Sequence, residues 1–156
     1  MEIDVRKTVQ RIIGVAIAGS VVAVASAQAV KPENAIKYRQ GIMRAQLWNM
    51  SMMGAMVKGA VPYNKDEFQR HAKFLDEVSA MAWEGYLPGT DQGAPTRAKP
   101  EIWKDTAKFK QFAEALQAAT SKLDAAAKTG ALDAVKGPFG DVAKACDNCH
   151  DDFRSK

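Results

Sequence analysis

The chain has 156 residues, 22 of them basic and 18 acidic, for a formal charge of +4. So small an excess, with no clustered Lys/Arg stripe, excludes nucleic acid as a partner. The only cysteines, Cys146 and Cys149, lie too close together for a disulfide between them to stabilise the fold much.

In chain order, residues 1–27 have the layout of a secretory signal peptide. Arg6, Lys7 and Arg11 precede an uncharged run from Ile12 to Ala25, and Ala25-Ser26-Ala27 supplies the small residues for cleavage after Ala27. The run is shorter than the ~20 residues that span a bilayer, so no stable membrane association is expected after cleavage. Residues 28–156 remain as one domain of 129 residues in an exported, periplasmic protein.

Four helices are predicted, and no stretch alternates as an exposed strand would. The first runs from Pro32 to Lys58, with Pro at its start and Ile36, Met43, Leu47, Met50, Met53 and Val57 as its apolar stripe. GAVPYN ends it. Asn64, with Glu67 three positions on, caps a second helix to Tyr86 whose stripe is Phe68, Ala72, Leu75, Val78 and Ala82. A long loop covers Leu87 to Pro100. The third helix starts at Pro100-Glu101, runs to Lys128 with Ile102, Thr106, Phe109, Ala113, Leu116, Thr120 and Leu123 facing inward, and stops at Gly130. The fourth spans Leu132 to Arg154, with Pro138 predicting a kink or a weak first turn. The expected fold is all-α, an antiparallel up-down-up-down four-helix bundle.

The chemistry is concentrated in Cys146-Asp-Asn-Cys149-His150. Helical spacing at i, i+3 and i+4 puts both thiols and the imidazole on one face, the core-facing one. CxxCH is the attachment signature of haem c: two thiols three residues apart add across the vinyl groups, and the adjoining His150 binds iron. One covalent haem also explains why an exported chain keeps two cysteines. Zinc would need a fourth ligand, and only His71 is left to supply it. A thioredoxin-like dithiol belongs on a strand-to-helix turn, for which no strand is predicted. His71 itself reads as an ordinary surface or boundary histidine, some 22 Å from the haem end by helical rise.

With KPENAIKYRQ (31–40), KGAVPY (58–63), PGT (88–90), PEIW (100–103) and FGDVAKAC (139–146) leading into the motif, the chain resembles the class II c-type cytochromes, the cytochrome c-prime family. That resemblance implies that the residue opposite His150 decides function. High-spin members block the face with an apolar side chain and bind nitric oxide or carbon monoxide; low-spin members place a methionine there and carry electrons to redox partner proteins. The resemblance puts Met43 at this position. Helical rise agrees, because Met43 is roughly 16 Å into the first helix while Met50, Met53 and Met56 lie 10 to 20 Å deeper. Those three and Met52 read as core filler. The methionine-rich phrase IMRAQLWNMSMMGAMVKG looks closer to the low-spin branch, so His150 and Met43 are the expected axial ligands of an electron carrier with no enzymatic activity. A five-coordinate gas-binding protein is the alternative. By the same resemblance Trp83 and Tyr86 line the pocket and Arg39 pairs with a haem propionate. Phe153 adds a flat side chain at the haem end, Arg154 flanks the histidine side, and a homodimer through the first two helices is an open option.

Overall fold

A computed structural model of the chain describes residues 30–156; the leader and its cleavage after Ala27 lie outside the described residues. Helix α1 is Pro32–Val57, with Pro at its first turn and Glu33 favourably placed against the helix dipole. Gly59, at φ 70°, turns the chain out of it. Helix α2, Lys65–Met81, is capped as expected: the Asn64 side chain accepts from the Glu67 amide at 3.1 Å.

Two elements differ from the sequence pattern. The second helix tightens at Met81 into a 3-10 turn, Ala82–Gly85. The third is broken into a single turn, α3 (Glu101–Lys104), and a long α4 (Thr106–Thr129). Asp105 makes the break: its backbone leaves the helical region and its side chain accepts from the Lys108 amide, capping α4. Gly130, at φ 80°, stops α4 as expected. Helix α5, Leu132–Phe153, runs on through Pro138 without interruption.

The helices pack as a four-helix bundle, with α2 against α1, α4 against α2 and α5 against α4. The fourth seam is different. Helices α1 and α5 touch at Gly54, where an added Cβ would lie 3.2 Å from the Phe139 ring, and are otherwise sparsely packed on each other. The aliphatic core fills the half of the bundle around that contact. It is built from Met53, Met56, Phe68, Leu75, Leu123, Val135 and Val142, each large side chain stabilising the fold by about 1.5–3 kcal/mol through burial.

Burial corrects three details of the sequence reading. Leu47, placed on the buried stripe of α1, is 66% exposed, while Gln46 and Asn49 are buried in its stead. Thr106, given to the inner face of the third helix, is exposed. His71 is not a surface or boundary residue but 5% exposed, because position 71 faces α1. The Asn49 amide donates to the Ala45 carbonyl, so its oxygen accepts from His71 Nδ1 at 2.9 Å. This interhelical hydrogen bond is what makes a buried imidazole tolerable.

Candidate haem-binding site

Cys146, Cys149 and His150 sit together in the last two turns of α5, all partly buried, with both thiols free. Burial pushes the Cys149 thiol up to about 11, with Cys146 and Asp152 adding to the effect, and burial also raises Cys146. Both are therefore protonated thiols near neutral pH. That is the reverse of an activated dithiol, whose nucleophilic cysteine is held as thiolate by a lowered pKa. The imidazole needed to complete a zinc site, His71, is held between α1 and α2 by Asn49.

The register of the bundle sets what lies across from the motif. Met43 precedes Gly54 by eleven residues and His150 follows Phe139 by eleven. In antiparallel helices touching at Gly54 and Phe139, both therefore lie about 16 Å along from that contact, at the same level. Met43 is partly buried there. Met53 and Met56 belong to the aliphatic half and Met50 packs against it.

An aromatic wall fills the level of the motif. Tyr86 packs on Phe109 with ring centres 4.8 Å apart, and Phe109 packs edge-on against Phe153 at 5.3 Å. Trp83 stacks on Tyr86 and meets Phe109 edge-on. Burial pushes the Tyr86 hydroxyl up to about 12; Arg39 opposes the rise and Cys149 adds to it. Trp83, Tyr86 and Phe153 thus belong to one aromatic cluster, which reaches α5 at Phe153, four residues beyond Cys149.

Arg39 is also at this end, but deeper than a surface arginine: it is 2% exposed. Its terminal nitrogens donate to the Gly85 carbonyl, the Thr90 hydroxyl and carbonyl, and the Thr96 hydroxyl, at 2.9 to 3.4 Å. Nε–H is the one donor group that these bonds leave free.

Sequence patterning missed how the end of α5 is anchored. The last helical carbonyls need partners from outside the helix. Arg154 N donates to the His150 carbonyl at 3.1 Å, Lys99 Nζ to those of Asp151 and Asp152 at 3.1 and 2.9 Å, and Lys99 N to that of Phe153 at 2.9 Å. An isolated bridge between Ala98 and Arg154 continues the clamp. Arg154 and Arg97 both act on His150: burial lowers its pKa first, the two arginines lower it further, and Asp147 and Asp151 oppose them. No local periodicity signals Arg97 or Lys99, which lie in a loop some fifty residues away in sequence.

These residues fit a covalent haem. The thiols are free and neutral, the imidazole is adjacent, the α1–α5 seam is loosely packed, and Trp83 Nε1 is a buried donor with no acceptor on the wall. A four-helix bundle bearing CxxCH in the last turns of its last helix defines a class II c-type haem protein. The chain belongs to the Cytochrome C' family, whose profile matches residues 34–154. It is 41% identical over 129 residues to cytochrome c' of Alcaligenes xylosoxydans xylosoxydans, covering 83% of this chain and 99% of that protein. The crystal structure of cytochrome c' from Rubrivivax gelatinosus superposes with a TM-score of 0.79 at 36% identity, over 82% of this chain and all of that one. The nitric oxide complex of a leucine-to-alanine variant of the Alcaligenes xylosoxidans protein superposes at 0.77, with 40% identity over 83% of this chain and 99% of that one. Proteins of this family carry one covalently bound haem c. The relatives just named are cytochromes c' proper, so the comparisons support the family but not the low-spin branch suggested by the methionine-rich first helix.

Proposed function

We propose that the chain is a periplasmic haem c protein that binds a diatomic gas such as nitric oxide, with Cys146 and Cys149 as the attachment points and His150 as the axial ligand. The similarity to a protein solved in complex with nitric oxide is the observation that carries this reading. Haem c, when bound, supplies a one-electron iron couple and, beside a single protein ligand, a position for the gas. Met43, level with His150 on the opposite helix, is then the side chain that a gas must displace or pass. Trp83, Tyr86 and Phe153 exclude water, and Arg39 carries a buried positive charge whose free Nε–H suits a carboxylate of the cofactor. Exposed Leu47 and Trp48 on α1 and Phe74 on α2 support pairing of two copies through these helices, which sedimentation at twice the monomer mass would bear out.

The register of Met43 favours a second reading, in which its sulfur ligates the iron and the protein carries single electrons to a redox partner. Spectra of the ferric and ferrous forms with and without carbon monoxide separate the two. The gas-binding reading expects broad high-spin bands that shift on adding the gas, and Met43→Ala that speeds gas binding without altering the resting coordination. Narrow low-spin bands unmoved by the gas, turning high-spin in Met43→Ala, would refute it in favour of the carrier.

A further inference from the structure

Arg39 heads the fully buried side chains, and its four hydrogen-bond acceptors are all neutral. Two of the four belong to one residue. Thr90, itself 2% exposed, offers its hydroxyl to Arg39 Nη1 at 3.1 Å and its carbonyl to Nη2 at 2.9 Å. The same hydroxyl donates its proton to the Leu87 carbonyl at 2.7 Å, which also accepts from Trp103 Nε1 at 2.9 Å. One threonine therefore joins α1, the loop after the 3-10 turn and α3. The guanidinium it holds lies over both the Tyr86 and Trp103 rings, 5.0 and 5.3 Å from their centres. Tyr86 in turn connects through Phe109 to Phe153, three residues beyond His150.

A cation fixed in a poorly hydrated site favours whichever neighbouring redox state carries less positive charge; allowed to swing toward water, its field is screened. We propose that Thr90 is a positioning residue which, acting through Arg39, holds a buried positive charge beside the haem site and so raises the reduction potential of the iron. This rests on the haem reading of the site and is indifferent to whether Met43 ligates.

The test is a redox titration of the purified holoprotein and of Thr90→Val, Thr90→Ser and Arg39→Gln, after haem retention on a denaturing gel has been confirmed; a wild-type polypeptide without haem there would refute the haem reading itself. Thr90→Val keeps the shape but loses the hydroxyl. It is expected to lower the ferrous-to-ferric ratio at a fixed applied potential by up to about tenfold, about 59 mV for a one-electron couple. Thr90→Ser restores the wild-type potential, and in an Arg39→Gln background the Val substitution adds no further fall. A Thr90→Val protein with lower stability but an unchanged or raised potential has lost only structure, and overturns the proposal. So does a fall of equal size in the Arg39→Gln background. If Arg39→Gln does not fold, the contrast between Val and Ser at position 90 decides alone.

Discussion

Lys99 shows how a loop residue governs the turn that carries His150. Replacing it with Met keeps a long apolar stem and the backbone N–H to the Phe153 carbonyl, but removes the ammonium from the carbonyls of Asp151 and Asp152. A hydrogen bond to a charged group contributes about 1.5–3 kcal/mol when buried. Here one bond is exposed and the other partly buried, so water replaces much of each, leaving about 0.5 kcal/mol apiece. The positive charge at the C-terminus of α5 is worth roughly a further 0.3–1 kcal/mol. Lys99→Met should therefore destabilise the protein by about 1–2 kcal/mol, lowering Tm by roughly 3–6 °C for a domain of this size. Thermal melts of the holoprotein followed by far-ultraviolet circular dichroism measure this, with Lys99→Arg as the variant that retains most of the effect. A Lys99→Met protein that melts with the wild type would mean that these carbonyls are satisfied equally well by water, and that the clamp does not stabilise the last turn.

Two glycines on different faces give a paired test of close approach. A Cβ at Gly85 would meet Arg39 Cβ at 2.9 Å and the Ala35 carbonyl at 3.1 Å, so Gly85→Ala should destabilise by about 1–3 kcal/mol in urea titration. Gly41, inside α1 with nothing within 4 Å of a built Cβ, should instead gain up to about 1 kcal/mol as Ala; equal effects at both sites would refute the packing argument. His71 makes stability depend on pH. Burial holds its pKa below the ordinary 6.5, Arg70 lowers it further and Glu67 opposes. The unfolded chain therefore takes up the proton first, so stability is intact above about pH 6.5 and falls as the pH drops from there toward the folded value. His71→Gln should flatten that part of the acid slope in melts compared between neutral pH and about pH 5, and an unchanged slope would assign the acid sensitivity to other groups.

Much of this protein was legible in its residues alone because the signals are local. Asn64 with Glu67, Gly130 after α4, and the i, i+3, i+4 spacing of Cys146, Cys149 and His150 each depend on a turn or two of helix, and each stands where the pattern put it. Bundle topology follows from four amphipathic segments and short connections, and topology with helical rise was enough to level Met43 with His150. What the residues could not show was which face of α1 is buried. That helix is apolar on more than one side, so Leu47 and Trp48 look as much like core as Met53 does, and only the position of α2 leaves the first two exposed and draws Gln46 and Asn49 inward.

The same division holds at the site. The CxxCH signature is written in five consecutive residues, whereas its support comes from groups far apart in the chain: Thr90 under Arg39, Lys99 on the end of α5, Arg97 beside His150. Hydrogen bonds from a loop to a distant helix end leave no periodic trace, because a loop has no repeat to betray which of its side chains faces inward. Local order was therefore determined by the sequence itself, and the surroundings of the Cys146–His150 motif by how the folded helices bring that loop to rest against them.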